Sequence, residues 1–290
     1  MDILLIVNPS SGGAGGDVRD SVRERLASRG RVSVLEPSEE GFDADVTKAA
    51  EAAGLVAVAG GDGTFSRAVN ALRPQLEDIV LALLPTGTGN DFARSLELPR
   101  DPLEAAEIAV SGVERSIDVG RALGGGVEKL FVNACIGGFP VAMDEAVDPG
   151  TKSRLGPLAF WAAGAKVAAD LPRTTVTMNG VAVTECVAVG VGNGRTSGGG
   201  IAVWPRAALD DGLLDGCAMA APNAAAAAKL AVKVKGGTHN DLDGVATTRA
   251  AKVVIESDPA IEINVDGELV GLTTPASFEI AGRARIMCPG

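Results

Sequence analysis

The sequence lacks an excess of basic residues. Its 290 residues include 26 Lys and Arg against 37 Asp and Glu, which gives a formal net charge of −11. Nucleic-acid binding needs a basic face to neutralise the phosphates, so we expect no nucleic-acid partner. The same acidity argues against general electrostatic adhesion to an anionic membrane surface.

The sequence also lacks closely spaced cysteines and long apolar runs. Its cysteines, at positions 135, 186, 217 and 288, form no CxxC pair, so their spacing predicts neither a zinc site nor a disulfide framework. Each lies in or beside an apolar run, which favours buried free thiols. No stretch approaches the roughly 20 apolar residues of a spanning helix, and the apolar start is too short for a signal peptide. We therefore expect a cytoplasmic protein whose membrane contact is peripheral.

Two nucleotide-binding signatures are absent as well. No segment matches GxxxxGK[ST], and GxGxxG fails because Val18 stands where the third glycine would follow Gly13 and Gly15. Neither P-loop nor Rossmann dinucleotide chemistry is therefore supported.

What the chain does contain is enough apolar sequence for two folded domains, with 46% hydrophobic and 22% charged residues. The first 118 residues alternate short apolar runs with helical patterns. Strands are predicted at Ile3–Val7, Val32–Leu35, Leu55–Ala59 and Ile79–Leu84, and helices from Asp17 and at Asp45–Ala53, Phe65–Leu72 and Asp101–Val110. This alternation predicts a three-layer α/β domain with a parallel sheet.

After Asp118 the pattern becomes mostly strand-like. Strands are predicted at Leu130–Cys135, Thr174–Met178, Val181–Val191, Leu213–Met219, Val253–Glu256, Ile261–Val265 and Phe278–Ile280, with helices at Leu158–Ala169 and Asn223–Val234. We expect a β-rich sandwich or flattened barrel. The boundary is predicted near 118–128, with residues 123–126 (LGGG) as a flexible joint, and a cleft between the two domains is a common place for a site.

Three glycine-containing loops follow strands of the predicted parallel sheet, at residues 8–13 (NPSSGG), 60–64 (GGDGT) and 87–91 (GTGND). Parallel sheets present ligands just past the carboxyl ends of their strands. Glycine permits positive φ and close approach, and exposed N–H groups at a following helix attract anionic oxygen. Thr64 and Thr88 could add hydroxyl donors. One such loop is usually only a turn, but three in one half of the chain suit the phosphates of a nucleotide.

These loops carry a family resemblance. NPSSGG, AGGDGTFSRAVNAL (59–72) and LPTGTGNDFAR (84–94) resemble the signature loops of the diacylglycerol kinase catalytic-domain family, which groups bacterial diacylglycerol and lipid kinases with sphingosine kinases. The likeness continues in SIDVG, FVNACIGGF, GNGRTSGGG, LDDGLLD, GGTH and VDGE, in order along the chain. GGDGT alone is shared with NAD kinases, whereas the ordered set is highly specific.

The resemblance implies an architecture and a nucleotide site. Family members have an α/β domain of the NAD kinase and diacylglycerol kinase type, here 1–120, and a β-rich sandwich domain, here 121–275. Residues 276–290 are expected to return to the first domain. ATP is expected in the cleft between them, lined by Asn8, Pro9, Ser10, Ser11, Gly12, Gly60, Gly61, Asp62, Gly63, Thr64, Phe65, Ser66 and Thr88.

The resemblance also assigns acidic residues to Mg²⁺. A carboxylate beside a triphosphate is unfavourable without a cation, so Asp62, with Asp91 and Asp118, is expected to hold Mg²⁺ directly or through water. The alternatives are a turn or cap role for Asp62 and capping of the next helix by Asp91. A second, structural Mg²⁺ is expected at Asp211 with the carbonyls of Ala208 and Leu213, although Asp-Asp-Gly is also a common turn.

The proposed catalytic residues are Glu268 and Asp62. Phosphoryl transfer needs positioning, charge stabilisation and one carboxylate to take the acceptor's proton, and the family places that glutamate in a DGE motif, here residues 266–268. A solvated Glu in a hairpin turn is the alternative. His239, the lone histidine, is expected to be structural, and Leu155–Leu171, with Phe160 and Trp161, is either an acyl-chain groove or a plain core helix.

The predicted function is therefore ATP-dependent phosphorylation of a lipid hydroxyl, with diacylglycerol to phosphatidate as the leading reaction. An NAD kinase-like small-molecule kinase and a non-catalytic nucleotide sensor are the alternatives. Because family members often dimerise, a homodimer is also expected.

Overall fold

The computed structural model describes residues 1–8, 16–138 and 174–290. Several predictions fall outside these residues: the Leu158–Ala169 helix, the Leu155–Leu171 groove with Phe160 and Trp161, and the proposed nucleotide contacts Pro9, Ser10, Ser11 and Gly12.

The first half alternates strands and helices, as predicted. The strands are β1 (Asp2–Val7), β2 (Arg31–Leu35), β3 (Leu55–Gly60) and β4 (Val80–Pro85). The helices are α1 (Gly16–Ala27), α2 (Phe42–Ala50), α3 (Asp62–Ala71), α4 (Asp91–Ser95) and α5 (Pro102–Ser111), with a 3₁₀ turn at Arg73–Gln75. Helix α5 begins as its sequence predicts: Asp101 accepts the N–H groups of Leu103 and Glu104, and Pro102 occupies the first helical position.

The four strands of this half form a parallel sheet in the order β4-β3-β1-β2. Successive residues of β1 point to opposite faces, so Leu4 and Ile6 pack beneath α2 and α3 while Ile3 and Leu5 pack beneath α1 and α5. Burial on both faces explains why β1, β3 and β4 are nearly continuous apolar runs. The three-layer prediction is confirmed.

The second half is β-rich, as predicted. Its strands are β5 (Val113–Gly124), β6 (Val127–Phe131), β7 (Ala134–Gly138), β8 (Thr174–Met178), β9 (Val181–Gly192), β10 (Leu214–Ala220), β11 (Val245–Ala250), β12 (Lys252–Asp258), β13 (Ile263–Val265) and β14 (Ala276–Cys288). Helix α6 (Ala224–Lys235) and a 3₁₀ turn at His239–Asp241 interrupt them. The side chains of these strands enclose a core around Phe131, Val191, Leu214 and Phe278. The four cysteines are buried free thiols, which confirms that prediction.

Strands β5 and β14 connect the two halves. β14 pairs in parallel with β4 at Arg285 and Ile286, and it pairs antiparallel with β5 along nearly its whole length. The predicted flexible joint at 123–126 is wrong, because β5 continues to Gly124 and Gly125-Gly126 form the tight turn into β6. Both turn glycines have positive φ, so the local run of glycine reflects a hairpin. The domain limits themselves stay a prediction.

The predicted strand at Leu130–Cys135 is two strands, β6 and β7, separated by a corner at Val132–Asn133. The corner exists because the N–H groups of residues 132–134 bind the carboxylate of Asp266 and take no part in a strand ladder. None of the helices that the structure describes is long and apolar enough to cross a membrane.

Candidate active site

The three glycine-containing loops start at one edge of the sheet. Parallel register places Val7 beside Ala59 and Gly60 beside Pro85, so the loops that follow β1, β3 and β4 begin side by side. Asn8 Nδ2 donates a hydrogen bond to Thr64 Oγ1 at 2.9 Å, which joins the first loop to the second.

Close main-chain approach, and not positive φ, explains Gly61 of the second loop and Gly87 of the third. A β-carbon at Gly87 would lie 2.6 Å from the Cα of Gly61, so only glycine fits at this crossing. Neither residue has positive φ, and the expectation of positive φ is wrong at these two positions. Thr88 follows Gly87 directly, so the structure brings it beside Gly61.

The GGDGT segment belongs largely to a helix. α3 begins at Asp62, three residues before the predicted start, so Asp62, Gly63 and Thr64 form its first turn. A helix start leaves free N–H groups and a positive dipole end, both of which favour bound phosphate. Phe65 turns its side chain into the core, where its ring lies 5.2 Å from the ring of Phe92, so only its main chain faces the loops.

Asp62 joins the second loop to the third. Its carboxylate accepts the N–H groups of Asp91 (2.9 Å) and Phe92 (2.9 Å) and so caps α4 from outside that helix. Burial raises the pKa of Asp62 to about 6; the two N–H donors oppose this shift, while the nearby charges of Asp91 and Asp266 add to it. The cap alternative for Asp62 is thus seen in the structure, and it leaves the carboxylate with further lone pairs.

Asp91 joins the third loop to the second half. Its carboxylate accepts the N–H groups of Gly199 (2.8 Å) and Gly200 (2.7 Å) and makes no cap bond to its own helix. The alternative in which Asp91 caps α4 is therefore wrong, because Asp62 already satisfies that helix start. A β-carbon at Gly89 would lie 3.3 Å from Asp62 Oδ2 and 3.6 Å from Asp91 Oδ2, so the two carboxylates lie against the same glycine.

Asp118 has other partners. It is 1% exposed, and its carboxylate accepts hydrogen bonds from Arg283 Nε at 3.0 Å and from the Gly212 N–H at 2.6 Å. Arg283 compensates the negative charge of Asp118, and the hydrogen bond from Gly212 holds the 209–215 loop in place. Its place in the Mg²⁺ network stays a prediction.

Glu268 reaches the glycine-containing loops from the second half of the chain. Val265 and Glu268 exchange main-chain hydrogen bonds of 2.9 and 3.0 Å across Asp266 (φ 48°) and Gly267 (φ 88°). Two positive φ angles define a type I′ hairpin, for which Asp-Gly is a preferred pair. A β-carbon at Gly63 would lie 2.5 Å from Glu268 Oε1, so this carboxylate faces the first turn of α3.

The electrostatic surroundings of Glu268 suit a proton acceptor. Residue Glu268 as a whole is exposed, yet its carboxylate is partly buried against Gly63, and this burial raises its pKa while Arg67 and Lys129 oppose the shift. A carboxylate with a raised pKa takes a proton more readily than an ordinary Glu.

Sequence reasoning missed three polar residues that organise this region. Asn90 exchanges amide hydrogen bonds with the main chain of Gly87, Asn133 donates to the Thr196 carbonyl, and Asp266 binds the corner at 132–134. All three lie in segments that resemble motifs of the family, so those motifs are the signal in the sequence that could have identified these residues. The partners of Asn133 and Asp266 are too distant in sequence to be recognised there, whereas Asn90 closes a local turn with Gly87.

The predicted structural Mg²⁺ site at Asp211 is arranged differently from the expectation. Arg249 pairs with the carboxylate of Asp211 and lies 3.6 Å from that of Asp215. The Leu213 N–H donates to Asp211 Oδ1 at 3.0 Å, which is a turn interaction. A guanidinium already supplies positive charge at this carboxylate, so these residues do not fit a magnesium ion well. No group of three or more His, Cys, Asp or Glu arranged to hold a metal occurs within 1–8, 16–138 and 174–290.

Arg249→Met should strengthen magnesium binding at this site. The substitution removes the guanidinium shared by Asp211 and Asp215 and leaves two neighbouring carboxylates, a setting that favours Mg²⁺. The measurement is the rise in melting temperature on adding MgCl₂ without nucleotide, which we expect to be larger in the variant than in the wild type. Equal rises would show that Arg249 does not take the place of an ion.

His239, the only histidine, is structural in this fold. It is fully buried, and its Nε2 lies 3.0 Å from the Val203 carbonyl oxygen, which can only accept. Nδ1 has no hydrogen-bond partner in the described part of the chain, and burial lowers the pKa of His239 below its usual 6.5.

Acidification should therefore destabilise the protein through His239. Because the folded-state pKa is lowered, the unfolded chain takes up the proton first, and stability that is present above about pH 6.5 is lost as the pH falls below that value. Melting temperatures across this range would show the loss, and the single imidazole signal gives the pKa directly by NMR. His239→Gln keeps a donor for Val203 and should remove this component; the same pH slope in both proteins would contradict the assignment.

Comparison with known proteins places this architecture. Residues 2–122 match the family model for the diacylglycerol kinase catalytic domain, and residues 137–287 match the YegS C-terminal NAD kinase beta sandwich-like domain. The chain is 32% identical to a probable lipid kinase YegS-like protein of Stenotrophomonas maltophilia, over 98% of this chain and 95% of that protein. It is 30% identical to a diacylglycerol kinase of Bacillus subtilis, over 94% and 91% respectively.

A solved structure shows the same fold. The crystal structure of a diacylglycerol kinase from Bacillus anthracis superposes with a TM-score of 0.78 at 28% identity, over 99% of this chain and 96% of that one. The α/β half and the β-sandwich half of the chain meet at three glycine-containing loops. Because the two halves match these two family models, the chain is a kinase. The chain belongs to the diacylglycerol kinase catalytic-domain family.

Proposed function

We propose that the protein is an ATP-dependent lipid kinase that transfers the γ-phosphate of ATP to a lipid hydroxyl, converting diacylglycerol to phosphatidate. The observation that carries this proposal is the approach of the Glu268 carboxylate to Gly63 in the first turn of α3. A proton acceptor from one half of the molecule thereby faces a phosphate-binding helix start from the other.

ATP would bind where the three loops meet. Free N–H groups at the start of α3 would donate to phosphate oxygens, and Asn8, Thr64 and Thr88 would add polar side-chain contacts. The main-chain contact between Gly61 and Gly87 keeps bulky side chains out of this space. The net charge of the protein is negative, so main-chain donors have particular value here.

Mg²⁺ fits the pair formed by Asp62 and Asp91. Both carboxylates lie against Gly89. Burial raises the pKa of Asp62, and the charges of Asp91 and Asp266 raise it further, so a cation between the carboxylates would favour the ionised form. Mg²⁺ typically combines one or two carboxylates with phosphate oxygens. When bound, it would neutralise charge on the triphosphate.

The transfer itself would be a displacement at the γ-phosphorus. The lipid hydroxyl oxygen forms a new bond to phosphorus, the bond from phosphorus to the β–γ bridging oxygen breaks, and ADP leaves. Glu268 accepts the proton of the attacking hydroxyl. The flanking cations Arg67 and Lys129 oppose the rise in the Glu268 pKa that burial causes, and so favour the ionised form that this role needs.

The choice of diacylglycerol is supported by the relative named diacylglycerol kinase, and a lipid acceptor in general is supported by the relative named probable lipid kinase YegS-like. We further propose that the protein meets its acceptor by peripheral contact with a membrane from the cytoplasm. A homodimer is the oligomeric state that we propose.

Transfer of label tests the function. ATP labelled in its γ-phosphate is offered to vesicles that contain diacylglycerol, phosphatidylglycerol or a sphingoid base, and in a separate reaction to NAD. We expect label in the chloroform extract, with diacylglycerol the preferred acceptor. Labelled NADP would instead indicate a small-molecule kinase, and ATP binding without transfer to any acceptor would contradict the proposal.

A further inference from the structure

Asp266 carries a buried carboxylate in the turn of an exposed hairpin. It is 4% exposed, while the next two residues, Gly267 and Glu268, are exposed. The main-chain N–H of Asp266 donates to the Ala134 carbonyl at 2.8 Å. A charged side chain in such a place requires strong compensation, because transfer of an unpaired charge from water to the interior is costly.

Main-chain donors supply that compensation. Asp266 Oδ2 accepts the Val132 N–H at 2.9 Å, and Oδ1 accepts the N–H groups of Asn133 and Ala134 at 2.9 Å each. Burial raises the pKa of Asp266, and these three N–H donors and the hydroxyl of Ser66 on α3 oppose that rise. Hydrogen bonds to an ionised acceptor are stronger than neutral ones, so this carboxylate is a firm attachment.

The interactions of the Asp266 carboxylate link the two elements between which Glu268 must lie, helix α3 and the loop at Asn193 and Gly194. Ser66 is on α3, the helix whose Gly63 faces the Glu268 carboxylate. The Asn133 carbonyl accepts the N–H groups of Asn193 and Gly194 at 2.8 Å each. Asp266 therefore connects the hairpin to α3 on one side and to the second-half loop on the other.

We propose that Asp266 is a positioning residue for phosphoryl transfer: its carboxylate fixes the Glu268 turn to α3 and to the Val132–Ala134 corner and so holds Glu268 at the reacting hydroxyl. This inference rests on the proposed function, in which Glu268 accepts the hydroxyl proton. A catalytic group displaced by about 1 Å can lose on the order of 10²-fold in rate.

Asp266→Asn weakens the hydrogen bonds of the carboxylate while it keeps the turn. Asn tolerates positive φ, and Asn-Gly supports the same type I′ turn as Asp-Gly. The amide, however, turns an NH₂ group towards N–H donors that the carboxylate satisfied. We expect kcat for lipid phosphorylation to fall by about 10- to 100-fold, with KM for ATP changed by less than about threefold because the loops that bind ATP are untouched.

A double-mutant cycle with Glu268→Gln distinguishes positioning from general structural damage. If Asp266 acts through Glu268, the D266N/E268Q protein is no slower than E268Q alone. A purely structural role would reduce kcat by the same factor in both backgrounds, which would overturn the proposal. Wild-type kcat in D266N would overturn it as well.

Two further variants complete the test. Ser66→Ala removes one of the four donors and replaces D266N in the test if D266N does not fold. We expect kcat to fall by about 5-fold in S66A and not to fall further when S66A is combined with E268Q. An unchanged kcat in S66A overturns the proposal. Asp101→Asn changes a remote, exposed helix cap and should be neutral. Full activity in E268Q itself would refute the proton-acceptor role and both proposals, whereas a slow E268Q with a fast D266N refutes only the role of Asp266.

Discussion

Glu268→Gln should fold and bind ATP but lose turnover by about 10²–10⁴-fold, the usual size of a general-base contribution. The amide is nearly isosteric with the carboxylate and keeps the hairpin, whose shape depends on the positive φ of Asp266 and Gly267. It cannot accept the hydroxyl proton. Initial rates with labelled ATP and diacylglycerol vesicles, beside ATP binding by calorimetry, separate lost chemistry from lost binding.

The matched control is Glu256→Gln, the same substitution at an exposed position of β12, which should leave kcat unchanged. Glu268 must be ionised to work, and partial burial raises its pKa. At saturating Mg²⁺, the wild-type rate should therefore fall as the pH is lowered through a value above that of an ordinary Glu, and the residual rate of the variant should not. Near wild-type turnover in E268Q would remove Glu268 from the mechanism.

Asp62→Asn should be comparably damaging, with activity reduced on the order of 10²–10³-fold, the range typical of losing one electrostatic contact to the transition state. The substitution removes the proposed Mg²⁺ ligand and, with it, the charge that caps the start of α4. The Mg²⁺ titration of the remaining activity should shift to higher concentration, because Asp91 alone would then face the ion.

The pH dependence sharpens this prediction. Because the pKa of Asp62 is raised to about 6, protons compete with Mg²⁺ for the carboxylate at a higher pH than for an ordinary Asp. The Mg²⁺ concentration that gives half-maximal activity should rise as the pH falls below about 6 in the wild type, and this rise should be absent in D62N. Asp101→Asn serves as the control, since it also alters a carboxylate that caps a helix. If D62N keeps the wild-type Mg²⁺ curve, Asp62 does not act on the metal.

Much of the site region could be predicted because it depends on local sequence and simple sheet geometry. Continuous apolar runs such as β1 and β3 need cover on both faces, which implies parallel strands with helical crossovers. Parallel strands end at one edge, so Asn8, Gly61 and Thr88 had to lie near one another once the strands were recognised. Helix limits were less accurate: the start of α3 at Asp62 was missed because a Gly-rich segment reads as a loop.

The roles of individual carboxylates could not be predicted in the same way. Capping of its own helix was one alternative for Asp91, beside Mg²⁺ binding, yet Asp62 caps that helix and Asp91 accepts the N–H groups of Gly199 and Gly200. Asp211 was expected to bind a structural ion, yet it is paired with Arg249. An aspartate next to a glycine looks the same in the sequence whether it caps a helix, closes a turn or binds a cation.

The sequence by itself determined the two unlike halves of this protein, the family to which it belongs and the convergence of its glycine-containing loops, because these follow from short-range periodicity and from motifs in order. Only the tertiary structure decided which N–H groups each buried carboxylate satisfies. Val132 and Asp266 are 134 positions apart, and their hydrogen bond exists because β7 and β13 pair in one register. The energy of a buried charge depends on the donors around it, and those donors come from the whole folded chain.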